Sequence, residues 1–217
     1  LDPLKPALVL PEVTDTSKWY GNEHRYADPE GKYIFAFIGS PSNAQLAYNT
    51  SQVNPKEFKS YQDVINPKWK GKIAMGNPTL HDTTIDWLSS LHLVFGSTQK
   101  ANDWIKRLAA LEPLMLDSMV PVGGRIAWGE VPLGVAYVKY VHLWTRKGAP
   151  MDYVKGLPVY LGDGNYIALT AKAPHPNAAK LYIDYFLGQE SSEIMANVGE
   201  FVNRSGLYPP IDGADHV

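Results

Sequence analysis

Residues 60–78 read SYQDVINPKWKGKIAMGNP. Asn66-Pro67 and Lys70-Gly71 are turn-forming pairs, because proline presets φ, asparagine bonds nearby backbone and glycine accepts left-handed dihedrals. They deliver the chain into residues 72–75, a short apolar run that reads as a strand and ends at Gly76, Asn77 and Pro78. Downstream, Ile85, Leu88, His92 and Phe95 recur at helical spacing, and Gly96 supplies a C-terminal cap. A strand, a turn and a helix in that order make the repeating unit of an α/β fold.

The alternation continues in both directions. Upstream, 33–38 is an apolar and aromatic run bounded by glycines, and Gln45–Asn49 reads as a second strand. The first 30 residues, rich in proline and charge with Trp19, Tyr20 and Tyr26 among them, read as loop and short turns. Downstream, Ser97 or Thr98 caps a helix whose stripe is Ala101, Trp104, Ile105, Leu108 and Ala109. Leu114–Leu116, 133–138 and 166–170 read as further strands. Pro176 opens a helix with the stripe Ala179, Tyr182, Ile183, Phe186 and Leu187, stopped by Gly188. A shorter helix comes next, with Ile194, Met195 and Val198 on one face.

Composition narrows the function classes. The 217 residues suffice for one large domain or two small ones, and 45% hydrophobic with 19% charged residues is ordinary for a soluble globular protein. Net charge is −2 with Lys and Arg scattered, so no basic stripe for nucleic acid is present. No apolar stretch approaches the length of a membrane span. With 0 Cys, structural disulfides, thiolate nucleophiles and Cys-based zinc sites are excluded together. The 13 Tyr and 6 Trp suit a ligand cleft, although most of them are expected in the core. The chain opens on Leu1 with no signal-peptide pattern, and is expected to be a mature product or a fragment.

Three stretches carry a family resemblance: residues 60–78; AWGEVPLGVAYV at 127–138, followed by Lys147-Gly148-Ala149-Pro150; and APHPNAAKLYIDYFL at 173–187. In this order they resemble the bacterial extracellular solute-binding proteins of the ferric-iron type, whose members also take up phosphonates, thiamine, sugar phosphates and organic anions. The match runs from about 33 to 210. The resemblance implies an α/β, two-lobed periplasmic-binding-protein-like fold of type II, closing like a hinge over a ligand. Carried onto this chain, Gln45–Asn49 and 166–170 are crossovers, 50–154 is a complete lobe, and 1–49 with 155–217 form a discontinuous remainder of the first lobe. The family's opening strands and helices have no counterpart here, so the first lobe is incomplete and a fragment is the favoured expectation. A truncated or proteolysed chain, a companion fragment, or a dimer completing the lobe in trans are the alternatives. The implied function is capture of a small solute and delivery to an ABC-transporter permease, in the periplasm or outside the cell, with a membrane tether through the missing N-terminus.

In open α/β sheets ligands lie beyond the carboxyl ends of strands, where helix N-termini offer N–H groups. Two such places are expected. After the strand 72–75 come Asn77, Thr79, His81, Asp82, Thr83 and Thr84, whose hydroxyls and amides suit an anion; Asp82 or Thr83 serving simply as a helix cap is the competing reading. After Leu114–Leu116 come Val122, Gly123, Gly124 and Arg125, where glycines admit close backbone approach and Arg125 offers a bidentate clamp. Tyr137 and Tyr140 follow the strand 133–138, where the ferric-binding relatives place tyrosine ligands. Those relatives carry adjacent tyrosines, whereas this chain has Tyr-Val-Lys-Tyr, and both rings reach one metal only if the strand ends between them. No cofactor is expected, with Fe3+ as the alternative cargo.

Of the six His, His81 alone stands near the expected cleft; His92 reads as a hydrogen-bonded core residue, and His175, between prolines, as structural. Thiamine-degrading enzymes share the implied fold class but rely on a Cys nucleophile, and no Ser-His-Asp order, HExxH or P-loop pattern is present. The expectation is therefore a receptor and not an enzyme, with a sensor or interaction module of the same fold as a further alternative.

Overall fold

A computed structural model describes residues 1–39, 44–158, 164–212 and 214. In chain order its principal elements are α1 (Pro11–Thr14), β1 (Ile34–Ile38), β2 (Gln45–Asn49), α2 (Tyr61–Val64), β3 (Ile73–Gly76), α3 (Asp82–Phe95), α4 (Thr98–Ala110), β4 (Leu114–Leu116), α5 (Val120–Ala127), β5 (Leu133–Ala136), α6 (Val138–Arg146), β6 (Met151–Tyr153), β7 (Asn165–Ala168), α7 (Pro176–Phe186) and α8 (Gln189–Asn197). The chain divides into two compact units, one of residues 1–40 with 163–217 and one of 41–162. Gln45–Asn49, assigned from the resemblance to a crossover, is a strand of the second unit's sheet.

That sheet has the order β4-β3-β5-β2-β6. β4, β3 and β5 run parallel, while β2 is antiparallel to both β5 and β6. Residues of β3 and β5 are buried throughout, as strands covered on both faces must be. Period-two alternation sorts them: Ile73, Met75, Leu133 and Val135 face α2, α3 and α4, packing with Tyr61, Trp87, Leu91, Trp104 and Leu108. Ala47, Ala74 and Ala136 face the other way, against Val122, Ile126 and Val141 of α5 and α6.

Residues 60–78 behave as their chemistry dictates. Ser60 and Asp63 form a capping box on α2, with Asp63 Oδ2 accepting from the Ser60 N–H at 2.9 Å. Asn66 Oδ1 accepts from the Lys68 N–H at 3.0 Å, and Gly71, at φ +68°, turns the chain into β3. Ser97 caps α4 by accepting from Lys100 N, and Gly96 closes α3 at φ +61°.

Several expectations need correction. The buried face of α3 is Thr84, Trp87, Ser90 and Leu91, because Trp87 packs on Tyr61 and Trp104 and sets the helix phase. Ile85 is consequently exposed, and His92 is an exposed residue bonded to the Ser89 carbonyl instead of a core residue. The strand expected over 133–138 stops at Ala136, and α5 and α6 are helices that the sequence pattern does not announce.

The first unit pairs β1 with β7 antiparallel, Ile34 opposite Ala168. Its core gathers Leu4, Trp19, Phe35, Leu169, Ile183 and Leu187. Asp184, 3% exposed, accepts from Val9 N at 2.9 Å and Leu10 N at 3.1 Å, tying the chain start to α7. Arg204, equally buried, stacks on Trp19 at 4.4 Å and donates to the carbonyls of Glu12 and Leu187. On α7, Ile183 and Leu187 of the expected stripe are buried, but Tyr182 is exposed beside Leu181, itself 73% exposed.

A Cβ on Gly134 would lie 2.7 Å from both the Ala74 carbonyl oxygen and Val122 Cγ1. Gly134→Ala is expected to lower stability by about 1–3 kcal/mol, read from chemical denaturation; an unchanged midpoint would show that α5 is free to move off the sheet.

Candidate functional site

Because β3, β4 and β5 are parallel, their carboxyl ends share one edge of the sheet. Each leads into a helix: β3 through residues 77–81 into α3, β4 through 117–119 into α5, and β5 directly into α6. The three N-cap residues are His81, Met119 and Tyr137, and none caps its helix with a side chain. Three helix N-termini, each carrying the positive end of its dipole, thus converge where an anion is best accommodated.

Asn77 makes a tight turn at the end of β3, its Oδ1 accepting from Thr79 N at 3.0 Å and Thr79 Oγ1 at 2.8 Å. His81 lies beyond it, with Nδ1 at 3.1 Å from Thr84 Oγ1 and Nε2 at 3.3 Å from the Tyr137 hydroxyl. That hydroxyl also bonds Thr83 Oγ1 at 3.0 Å. Asp82 is the first residue of α3 and not its cap; its Oδ1 accepts from Thr83 N at 2.7 Å and lies 3.3 Å from Thr83 Oγ1. Gly76 makes this possible, since a Cβ there would stand 2.4 Å from Thr84 Oγ1 and 3.3 Å from His81 Nδ1. The structure therefore gathers Asn77, Thr79, His81, Asp82, Thr83, Thr84 and Tyr137 at one edge.

Tyr140 joins them. β5 ends at Ala136, so Tyr137 and Tyr140 sit three apart at the start of a helix, and their ring centroids lie 5.7 Å apart. Lys139 Nζ lies 5.5 Å from each centroid. Burial pushes the Tyr137 phenol above its ordinary value, against smaller opposing contributions from the Thr83 hydrogen bond and Lys139.

Residues 122–125 are different. The expected glycine turn is the body of α5, and of the four only Val122 lies in its first turn, with its side chain buried under the sheet. Gly123 and Gly124 serve packing: a Cβ on Gly123 would meet Trp144 at 3.4 Å, and one on Gly124 would meet Trp128 at 3.7 Å. Arg125 forms an ion pair with Glu130 and is no clamp at this edge. The N-terminus of α5 instead brings Ser118, Met119 and Val120, with Ser118 Oγ accepting from Val120 N at 3.3 Å. Pro121 is the legible signal, marking the first turn two residues earlier than the glycines suggest.

Residues 34–199 match the family model of bacterial extracellular solute-binding proteins. The chain belongs to this family. An uncharacterized protein of Haemophilus influenzae is 26% identical over 145 residues, which is 65% of this chain and 41% of the relative. Among solved structures, iron-bound HitA of Pseudomonas aeruginosa superposes with a TM-score of 0.71 at 20% identity, covering 94% of this chain and 65% of HitA. AfuA of Actinobacillus pleuropneumoniae, a periplasmic binding protein with fructose-6-phosphate bound, gives 0.72 at 19% identity over 98% of this chain and 74% of AfuA. The chain thus spans about two fifths of the relative and about two thirds of HitA. The likeness to these structures is one of fold, the two-lobed α/β architecture of periplasmic binding proteins. No helix among the described residues is long and apolar enough to cross a membrane.

A raised Tyr137 phenol predicts late ionisation. In a spectrophotometric titration, Tyr137→Phe should remove a component titrating above ~10; loss of a component titrating below that value would mean a phenolate-ready tyrosine.

Proposed function

We propose that this chain is the solute-capturing part of an ABC-importer receptor, and that its solute is a small organic anion. The observation that carries the reading is the convergence of three helix N-termini, none with a side-chain cap, on one sheet edge furnished with Thr83, Tyr137 and Asn77. Backbone N–H groups and hydroxyls at such an edge recognise carboxylate or phosphate oxygens without any covalent chemistry. AfuA, which shares the fold, holds a sugar phosphate, and that class of solute suits the donors present here. Release to a permease from the periplasm accords with membership of the family. The exposed Leu181, Tyr182 and Tyr185 on α7 support completion of the first lobe by further polypeptide or a second copy.

Ferric iron is the second reading, favoured by the adjacency of the Tyr137 and Tyr140 rings. Against it stand the hydrogen bonds that tie the Tyr137 hydroxyl to Thr83 and His81, and the ammonium of Lys139 beside both rings. Fe3+ would take this oxygen as phenolate at the expense of those bonds, and a neighbouring cation opposes a trivalent one.

Native mass spectrometry of the purified chain, before and after mild acid and chelator, separates the readings. A co-purified organic anion, or calorimetric binding of fructose-6-phosphate or inorganic phosphate, is the expected result. Bound iron with tyrosinate absorption would replace the anion reading by the second. A chain that takes up neither iron nor any of these oxyanions would remove both.

A further inference from the structure

Thr84 is 0% exposed, and among the described residues its hydroxyl has a single hydrogen-bond partner, His81 Nδ1 at 3.1 Å. A buried hydroxyl whose hydrogen finds no acceptor carries the full desolvation penalty of that group. The Thr84 hydrogen therefore points at Nδ1, which must be the unprotonated ring nitrogen. The ring proton then resides on Nε2 and is donated to the Tyr137 oxygen at 3.3 Å. With its oxygen accepting from His81, the Tyr137 hydroxyl donates to Thr83 Oγ1 at 3.0 Å. Thr83 in turn keeps its own hydrogen for the next acceptor outward. Among the described residues the one in reach is Asp82 Oδ1, a long contact at 3.3 Å whose oxygen already holds the Thr83 N–H.

We propose that His81 is a positioning residue that, through its Nε2–H tautomer, sets the polarity of the Thr84–His81–Tyr137–Thr83 chain and makes Thr83 a hydrogen-bond donor toward the solute. The opposite tautomer reverses every bond in the chain: Nδ1–H would donate to Thr84, Nε2 would accept from Tyr137, and Tyr137 would accept from Thr83. Thr83 would then have no hydrogen to offer, and the same geometry would select a donor-bearing solute. A buried hydroxyl on the first turn of α3 thus decides which side of a hydrogen bond the site presents. Gly76 belongs to the device, because any side chain there would occupy the place of Thr84 Oγ1. The inference rests on the anion reading for its ligand and on Thr84 for its direction.

Nitrogen-15 NMR of imidazole-labelled protein at a pH where His81 is neutral tests the direction, with the His81 signal assigned by its absence from His81→Gln. The expected spectrum shows protonated Nε2 and an Nδ1 shifted by accepting a hydrogen bond. Thr84→Val should remove that shift and Thr84→Ser should restore it. A protonated Nδ1 in the parent protein, or an Nδ1 signal indifferent to Thr84→Val, overturns the proposal. With inorganic phosphate as the probe, Thr84→Val should weaken binding about five-fold and Thr84→Ser should recover it; equal affinities for all three proteins would overturn the link to the solute. If phosphate and fructose-6-phosphate fail to bind even the parent protein, the anion reading falls, and the proposal of Thr83 as donor to a solute falls with it. The NMR result then still separates the two failures, since it decides the tautomer without any ligand.

Discussion

The site depends on how closely helices approach the β3–β5 pair. Two positions without a side chain govern that distance. Gly134 lets α5 settle against β5, where any Cβ would strike the Ala74 carbonyl and Val122. Gly76 lets the first turn of α3 fold back over the end of β3, so that His81 and Thr84 meet above it. The alanines facing α5 and α6, at 47, 74 and 136, extend the same economy of volume across that face of the sheet. The opposite face is filled by bulk, with Trp87, Trp104 and Tyr61 in mutual contact and the Trp104 N–H donating to the Tyr61 carbonyl at 2.8 Å. One face sets proximity and the other supplies apolar burial.

On this scaffold the polar groups at the carboxyl edge are held by one another more than by solvent. His81 is gripped at both nitrogens, and Thr83 is approached by Tyr137 from one side and Asp82 from the other. Such mutual restraint would lower the entropy that a solute bound at this edge has to remove. Asp82 also tempers the site, because a carboxylate at a helix N-terminus competes with any anion for the same N–H groups. A solute bearing hydroxyl groups as well as an anionic group would use both characters.

Much of the order of strands and turns is legible in the sequence, because turn chemistry is local. Asn66-Pro67, Lys70-Gly71, Ser97 and Gly96 do in the structure what their side chains dictate in any context. The first half of the site is legible for the same reason, since residues 77–84 follow a strand and open a helix. The illegible parts are governed by tertiary packing. α5 carries Gly123 and Gly124, poor helix formers whose missing side chains leave room for Trp144 and Trp128. α6 begins in β-branched and aromatic residues that look like a continuing strand, which hides the meeting of Tyr137 and Tyr140. The buried stripe of α3 centres on Trp87 and Leu91, with Leu88 and Phe95 of its apolar pattern packed at the margin of that core and Ile85 exposed, because the partner surface and not apolarity alone sets the phase.

The first unit is built from the two ends of the chain, and its ties are long ones. Val9 reaches Asp184 across 175 positions, and Glu12 reaches Arg204 across 192. A ribosome therefore releases the whole of residues 41–162 before the opening 40 can find their partners on α7 and the segment beyond it. While residues 41–162 already contain every element of their own core, Leu4, Trp19 and Phe35 still await Leu169, Ile183 and Leu187. Closure of the first unit thus waits on completion of residues 41–162, and the interval between the two is a window in which a chaperone or an export machine can still handle residues 1–40 before they dock.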